Sequence, residues 1–130
     1  MGSLFAARFT LAGLDTTLYS RPSPHLTVID ESGLTLEELD GIRRQVRLRT
    51  TSEPSSLANA ELALVMVKAW ATDEAIRPLV PHLPPTTTML TLQNGLGNVE
   101  TIATALPDHT ILAGVTSQGA VRAAPGTVRH

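Results

Sequence analysis

Gln93-Asn94-Gly95-Leu96-Gly97 is the stretch of this chain best equipped for chemistry. Asn94 offers a donor and an acceptor on one amide, and two glycines let the backbone approach a ligand closely. Lys68 adds an ammonium at the end of an apolar run, and Arg21 a guanidinium beside two prolines. Each has a plain alternative: a glycine-rich turn with a helix cap, a lysine whose stem lies along a strand end, and a solvated loop arginine. None of the four histidines shows metal-ligand spacing with another His or acid, and there is no cysteine. Neither a nucleophile motif nor a phosphate-loop pattern occurs, so no metal site is assigned and no residue is named catalytic.

The elements around these residues decide what they can do. Thr86 to Leu92 is β-branched and apolar, with Pro84-Pro85 ahead of it, and predicts a buried strand. Asn98 to Leu106 has apolar residues at helical spacing, with Asn98 as a cap and Pro107 beyond the end. Gln93 to Gly97 is then a strand-to-helix turn, and in an open parallel α/β sheet such carboxyl-end turns hold the ligands. Glu61 to Val67 predicts a parallel strand buried on both faces, ended by Lys68. Thr72 is placed to cap a helix through Leu83 that Pro78 and Pro81 bend or break.

Met1 to Gly13 predicts a helix with an apolar stripe, and Asp15 to Tyr19 a short strand. Ser20-Arg21 follows that strand. In a dinucleotide-binding unit this place selects the cofactor: an acid bonds the ribose hydroxyls of NAD, an arginine accommodates the 2′-phosphate of NADP. His25 to Gly33 has a weak helical pattern, and Leu34 to Gly41 is ambiguous. Ile42 to Arg49 predicts an edge strand with a solvated basic face, and Thr50 to Ala60 a loop. Thr110 to Thr116 predicts another buried strand, and residues 117–130 a turn into a hairpin.

Bulk composition bounds the function. With 130 residues and 42% hydrophobic content the chain suits one domain with a sizeable core. A net charge of −2 favours neither nucleic acid nor a membrane surface, and 3% aromatics argue against base stacking. No apolar run approaches a membrane span. The lack of cysteine fits an intracellular, cytoplasmic setting.

Five segments, in this order, carry a resemblance: Met1-Gly2-Ser3-Leu4-Phe5-Ala6-Ala7-Arg8, Val67-Lys68-Ala69-Trp70, Leu92 to Asn98, Leu112-Ala113-Gly114-Val115-Thr116, and Gly119-Ala120-Val121 with Pro125 to His130. Together they resemble the N-terminal domain of the 2-dehydropantoate 2-reductase (ketopantoate reductase) family, over nearly the whole chain. The resemblance implies a Rossmann-type, doubly wound, mostly parallel α/β sheet across residues 1–130 and a pantothenate-pathway oxidoreductase. It implies NADP as cofactor and a small 2-oxo acid, ketopantoate, as the substrate reduced to a 2-hydroxy acid. Gly2 matches the last glycine of the family's G-x-G-x-x-G. Arg21 matches its 2′-phosphate reader. Lys68 and Asn94 match residues lining the nicotinamide end, Asn94 also facing the substrate, with Gln93 and Gly95 sharing that turn as further cofactor-binding positions.

Two departures qualify these expectations. The family's first strand with its leading glycines, and its helical C-terminal domain with the general-acid lysine, have no counterpart in the sequence. Unpaired strand edges, half a pyrophosphate cradle, weak or absent NADPH binding and no activity of the chain by itself are therefore expected. The alternatives are a non-catalytic dinucleotide- or partner-binding module and a non-functional gene fragment.

Overall fold

The computed structural model describes residues 1–130. In chain order its helices and strands are α1 (Gly2–Leu11), β1 (Thr17–Tyr19), α2 (Pro24–Ser32), β2 (Leu34–Glu37), β3 (Arg43–Val46), β4 (Arg49–Thr51), β5 (Leu62–Val65), α3 (Thr72–Ile76), β6 (Thr88–Thr91), α4 (Asn98–Ala105), β7 (Ile111–Ala113), β8 (Val121–Ala124) and β9 (Thr127–Arg129). Helices alternate with mostly parallel strands, the Rossmann-type α/β architecture that the sequence predicts. The chain falls into two compact units, residues 1–52 with 118–130, and residues 53–117.

In the first unit α1 buries Leu4 and Ala7 of its expected apolar stripe together with Ala6, while Leu11, expected on the same stripe, is 50% exposed. α2 forms despite the poor helical preference of Val28 and Ile29 because its start is strongly marked. Ser23 accepts a hydrogen bond from the Leu26 amide at 3.2 Å, and Pro24 occupies the first turn, where its missing N–H costs nothing. Ambiguous Leu34 to Gly41 resolves into β2, whose Leu34 and Leu36 are fully buried. β2 pairs antiparallel with β3 and parallel with β9, and β9 pairs antiparallel with β8 in the expected hairpin. Leu4, Ala7, Ile29, Leu34, Leu36, Val46 and Val128 form the core. Each large member contributes roughly 1.5–3 kcal/mol on burial.

The predicted single edge strand from Ile42 to Arg49 is two strands. β3 does lie at a sheet edge, but its register with β2 ends at Leu34↔Val46, because β2 starts there. The chain turns through Arg47-Leu48 and enters a second, parallel pairing with β1, from Thr17↔Arg49 to Tyr19↔Thr51. Thr50 and Thr51 are therefore strand, not the start of a loop. Glu37 is buried at the end of β2 because Arg129 Nε donates to Oε2 at 2.7 Å and Arg43 lies 2.5 Å from Oε1. The hydrogen bond from Arg129, helped by the nearby Arg43 charge, holds its carboxyl below the ordinary value.

The second unit is a parallel sheet in the order β5-β6-β7. Central β6 carries Met89, which is fully buried. The flanking strands are less covered than predicted: Leu62 on β5 is 51% exposed and Leu112 on β7 is 49% exposed. Composition predicted strands buried on both faces, but both strands lie at edges of this sheet. β1 pairs only with β4 and β5 only with β6, so each keeps an unpaired edge. The helix predicted through Leu83 ends at Ile76. A short 3₁₀ turn over Arg77–Leu79 follows, since Pro78 cannot donate to the ladder.

Candidate functional site

The turn after β6 is held by its own residues. Gly95 and Gly97 lie at φ 96° and 85°, a left-handed region that favours glycine, while nothing approaches the Cβ position of either. Handedness, not space, demands glycine there. Gly97 is the N-cap of α4 and offers no side chain. Asn98, predicted as the cap, is the first helical residue and buried. Its Nδ2 donates back to the carbonyls of Asn94 at 3.3 Å and Gly95 at 3.1 Å. This ties the loop down from within and leaves the Asn94 side chain exposed.

The turn after β5 carries Lys68, which is exposed and has extended backbone, φ −65° and ψ 144°, before the 3₁₀ turn Ala69–Ala71. Strands β5 and β6 are hydrogen-bonded neighbours with Val65 opposite Thr91, so their carboxyl-end turns emerge side by side. Gln93 joins them. Its Nε2 donates to the Val67 carbonyl at 2.7 Å and to Thr72 Oγ1 at 2.8 Å. Its Oε1 accepts from Thr91 Oγ1 at 2.9 Å. Thr72, 1% exposed, thus receives the Gln93 amide rather than capping α3, which begins without a side-chain cap. Sequence reasoning named Gln93 and missed Thr72 and Thr91 as its partners. The Thr91-x-Gln93 spacing, two residues on one strand face, was the available signal.

In the first unit, Gly2 opens α1 behind its N-cap Met1, which makes no side-chain cap hydrogen bond to the first turn. Arg21 is exposed just beyond β1, where Ser20 N still donates to Thr51 O at 3.1 Å. His25 is the residue here that the sequence did not single out. The Gly126 amide donates to its Nδ1 at 3.0 Å, so that nitrogen is an acceptor and the ring is neutral. Nε2 then carries the proton and donates to Ser3 Oγ at 3.0 Å. A cavity of about 330 Å³ borders His25, Arg122 and Pro125. Burial first, then the Arg122 charge, push the imidazole below its ordinary value of 6.5.

This fixes a sign. The neutral ring's contribution to stability is present above the ordinary value and is lost as pH falls through the lowered one. Acidification from about pH 7 to about pH 5 is expected to lower the melting temperature. His25→Asn, which keeps an acceptor for the Gly126 amide but does not titrate, is expected to flatten that dependence. Parallel profiles for the two proteins would remove His25 as the cause.

No group of three or more His, Asp or Glu side chains is arranged to hold a metal ion, and no helix is long and apolar enough to cross a membrane.

The sequence pattern of the family described as Ketopantoate reductase PanE/ApbA matches residues 1–130. A 2-dehydropantoate 2-reductase from Halobacterium salinarum is 42% identical over 132 residues, covering 100% of this chain and 43% of that protein. One from Vibrio cholerae is 35% identical and covers 100% of this chain and 40% of its own length. Among solved structures, a PanE/ApbA family ketopantoate reductase from Ralstonia eutropha superposes with a TM-score of 0.90 at 32% identity, over 97% of this chain and 41% of that one. A D-mandelate dehydrogenase with NADH and anilino(oxo)acetate gives 0.89 at 25% identity, over 99% and 41%. The chain spans about two fifths of the length of these relatives.

Proposed function

The chain belongs to the ketopantoate reductase family PanE/ApbA, and on that premise we propose that it holds NADPH for the reduction of a 2-oxo acid to a 2-hydroxy acid, ketopantoate to pantoate. The observation that carries this reading is the pair of adjacent carboxyl-end turns, which presents exposed Lys68 and Asn94 after neighbouring parallel strands. Both are assigned to the nicotinamide end of the cofactor, with Asn94 also facing the substrate and Gly95 shaping the turn. Gly2 is assigned to the pyrophosphate. A dinucleotide fits there because the N-cap Met1 makes no side-chain cap hydrogen bond to the first turn of α1 and a helix N-terminus favours a phosphate. Arg21, where an acid would select NAD, is assigned to the 2′-phosphate.

When bound, NADPH supplies the hydride that adds to the ketone carbon. The residues of this chain contribute position and charge: an ammonium and an amide hold the reacting ends close enough for transfer. The proton taken up by the ketone oxygen is assigned to no residue here, and Lys68 is kept as a binding group. The setting proposed is cytoplasmic.

Isothermal titration of the 130-residue chain tests this. The expected result is NADPH binding weaker than micromolar, still weaker NADH binding, and loss of the difference in Arg21→Ala. A charge-assisted contact to phosphate accounts for a preference of roughly tenfold or more. Equal affinities for the two nucleotides would remove Arg21 as the 2′-phosphate reader, and no binding at all would favour the non-functional gene fragment over a cofactor-holding chain. The likeness to D-mandelate dehydrogenase with NADH supports a second reading, in which the 2-oxo acid is a different one. Under that reading NADH binds at least as well as NADPH.

A further inference from the structure

The ladder between β5 and β6 stops at Val65↔Thr91, before the residues assigned to the cofactor. Past that point nothing in regular structure fixes the distance between the Lys68 turn and the Asn94 turn. The Gln93 side chain takes over. Its amide spans 26 positions of sequence to reach the Val67 carbonyl, which belongs to the peptide group that leads into Lys68. Its own backbone leads into Asn94.

We propose that Gln93 is the positioning residue that sets Lys68 and Asn94 relative to each other, acting as a strut inside the protein and not as a contact to the cofactor. The inference rests on the reading of Lys68 and Asn94 as cofactor-holding residues.

Valence supports it. A carbonyl only accepts, so Val67 fixes which end of the Gln93 amide is nitrogen. Both N–H groups are then committed, one to Val67 and one to Thr72. The oxygen is engaged by Thr91, whose hydroxyl also accepts from the Gln93 backbone amide at 3.2 Å. Both threonines are nearly inaccessible, 1% and 3% exposed, so the strut is anchored on buried groups that water does not compete for. A ligand could recruit the Gln93 N–H groups only by breaking these bonds. Lys68 and Asn94, on either side of the strut, are exposed.

Two variants remove the strut by different routes. Gln93→Glu keeps the shape but turns carboxylate lone pairs towards the Val67 carbonyl. Thr72→Val deletes the hydroxyl that anchors the far end, and Thr72→Ser restores it. Backbone amide resonances and NADPH titration are measured on the whole chain, with a cooperative melt confirming that each variant folds. Gln93→Glu and Thr72→Val are expected to shift the amides of both turns, Lys68 to Trp70 as well as Asn94 and Gly95. They are also expected to weaken NADPH binding about tenfold, the scale of one buried hydrogen bond lost, while Thr72→Ser stays close to the parent in both respects. Shifts confined to the turn around Gln93 would overturn the proposal. So would unchanged affinity in the two strut variants while Lys68→Ala and Asn94→Ala each weaken binding. If those alanine variants leave affinity untouched, the cofactor reading has failed, and the resonances of the Lys68 turn then decide alone whether Gln93 is a strut. An unfolded Gln93→Glu chain leaves the decision to Thr72→Val and its serine rescue.

Discussion

Gly126→Ala is expected to cost the unit of residues 1–52 and 118–130 about 2–5 kcal/mol, measured by urea denaturation with far-ultraviolet circular dichroism. Two penalties add. Gly126 lies at φ 71°, which an L side chain enters at a cost of about 1–2 kcal/mol. An added Cβ would stand 2.3 Å from Val28 Cγ1 and 3.1 Å from Val28 Cβ. Overpacking of that kind costs about 1–3 kcal/mol. The hairpin has little freedom to retreat, because the Gly126 amide donates to His25 and its carbonyl accepts from the Thr35 amide at 2.8 Å. Trimming the neighbour separates the two penalties: Val28→Ala added to Gly126→Ala removes the 2.3 Å contact and is expected to return the larger part of the steric penalty, leaving the backbone strain and the remaining Cβ contact at 3.1 Å. A single-variant loss below about 1 kcal/mol would show that the hairpin is not pinned as described.

The second large effect belongs to the other unit. Met89→Ala is expected to lose about 2–5 kcal/mol, the range for deleting a long side chain from a fully buried site. Met89 has no exposed surface and stands on the central strand, with β5 on one side and β7 on the other. Met89→Leu, which nearly conserves volume, is expected to cost less than about 1.5 kcal/mol. Leu112→Ala on edge strand β7 removes a similar volume from a half-exposed position and is expected to cost under about 1 kcal/mol, because most of that surface never left water. If Leu112→Ala matched Met89→Ala, the central position of β6 would not be what makes Met89 costly to lose.

The sequence carried the elements whose patterns are local. The apolar stripe of α1, the β-branched run of β6 and the hairpin of β8 and β9 all lie where periodicity and turn residues put them. The Ser23-Pro24 pair that starts α2 was equally local but read only as the end of β1, and it outweighs the weak preference of Val28 and Ile29. What stayed hidden was relational. An apolar run looks alike at the centre and at the edge of a sheet, so the half-exposed Leu62 and Leu112 could not be told from core residues. Three-residue β4 has no pattern of its own and exists because β1 lies alongside. At the site, the type and place of Lys68 and Asn94 were legible, as was the glycine turn. The work of Gln93 was not, because an amide bonded to a distant backbone carbonyl has the same sequence signature as one waiting for a ligand. Asn98 likewise passed for a cap while serving the loop behind it.

The pairing of β2 with β9 has a temporal side. Glu37 and Arg129 lie 92 positions apart, with all of residues 53–117 in between. On a ribosome adding about 5–20 residues per second, β2 is made several seconds before β9 exists to cover it. Leu34 and Leu36, both destined for full burial, must wait through that interval beside an unfinished sheet. The contiguous segment 53–117 has every pairing partner in hand and is free to fold at once. Its doing so would shorten the span that β9 must search to find β2, easing the closure cost of a long loop. Nascent chains halted before β9 should therefore bind holdase chaperones through the β2 region, and release them once the hairpin is made.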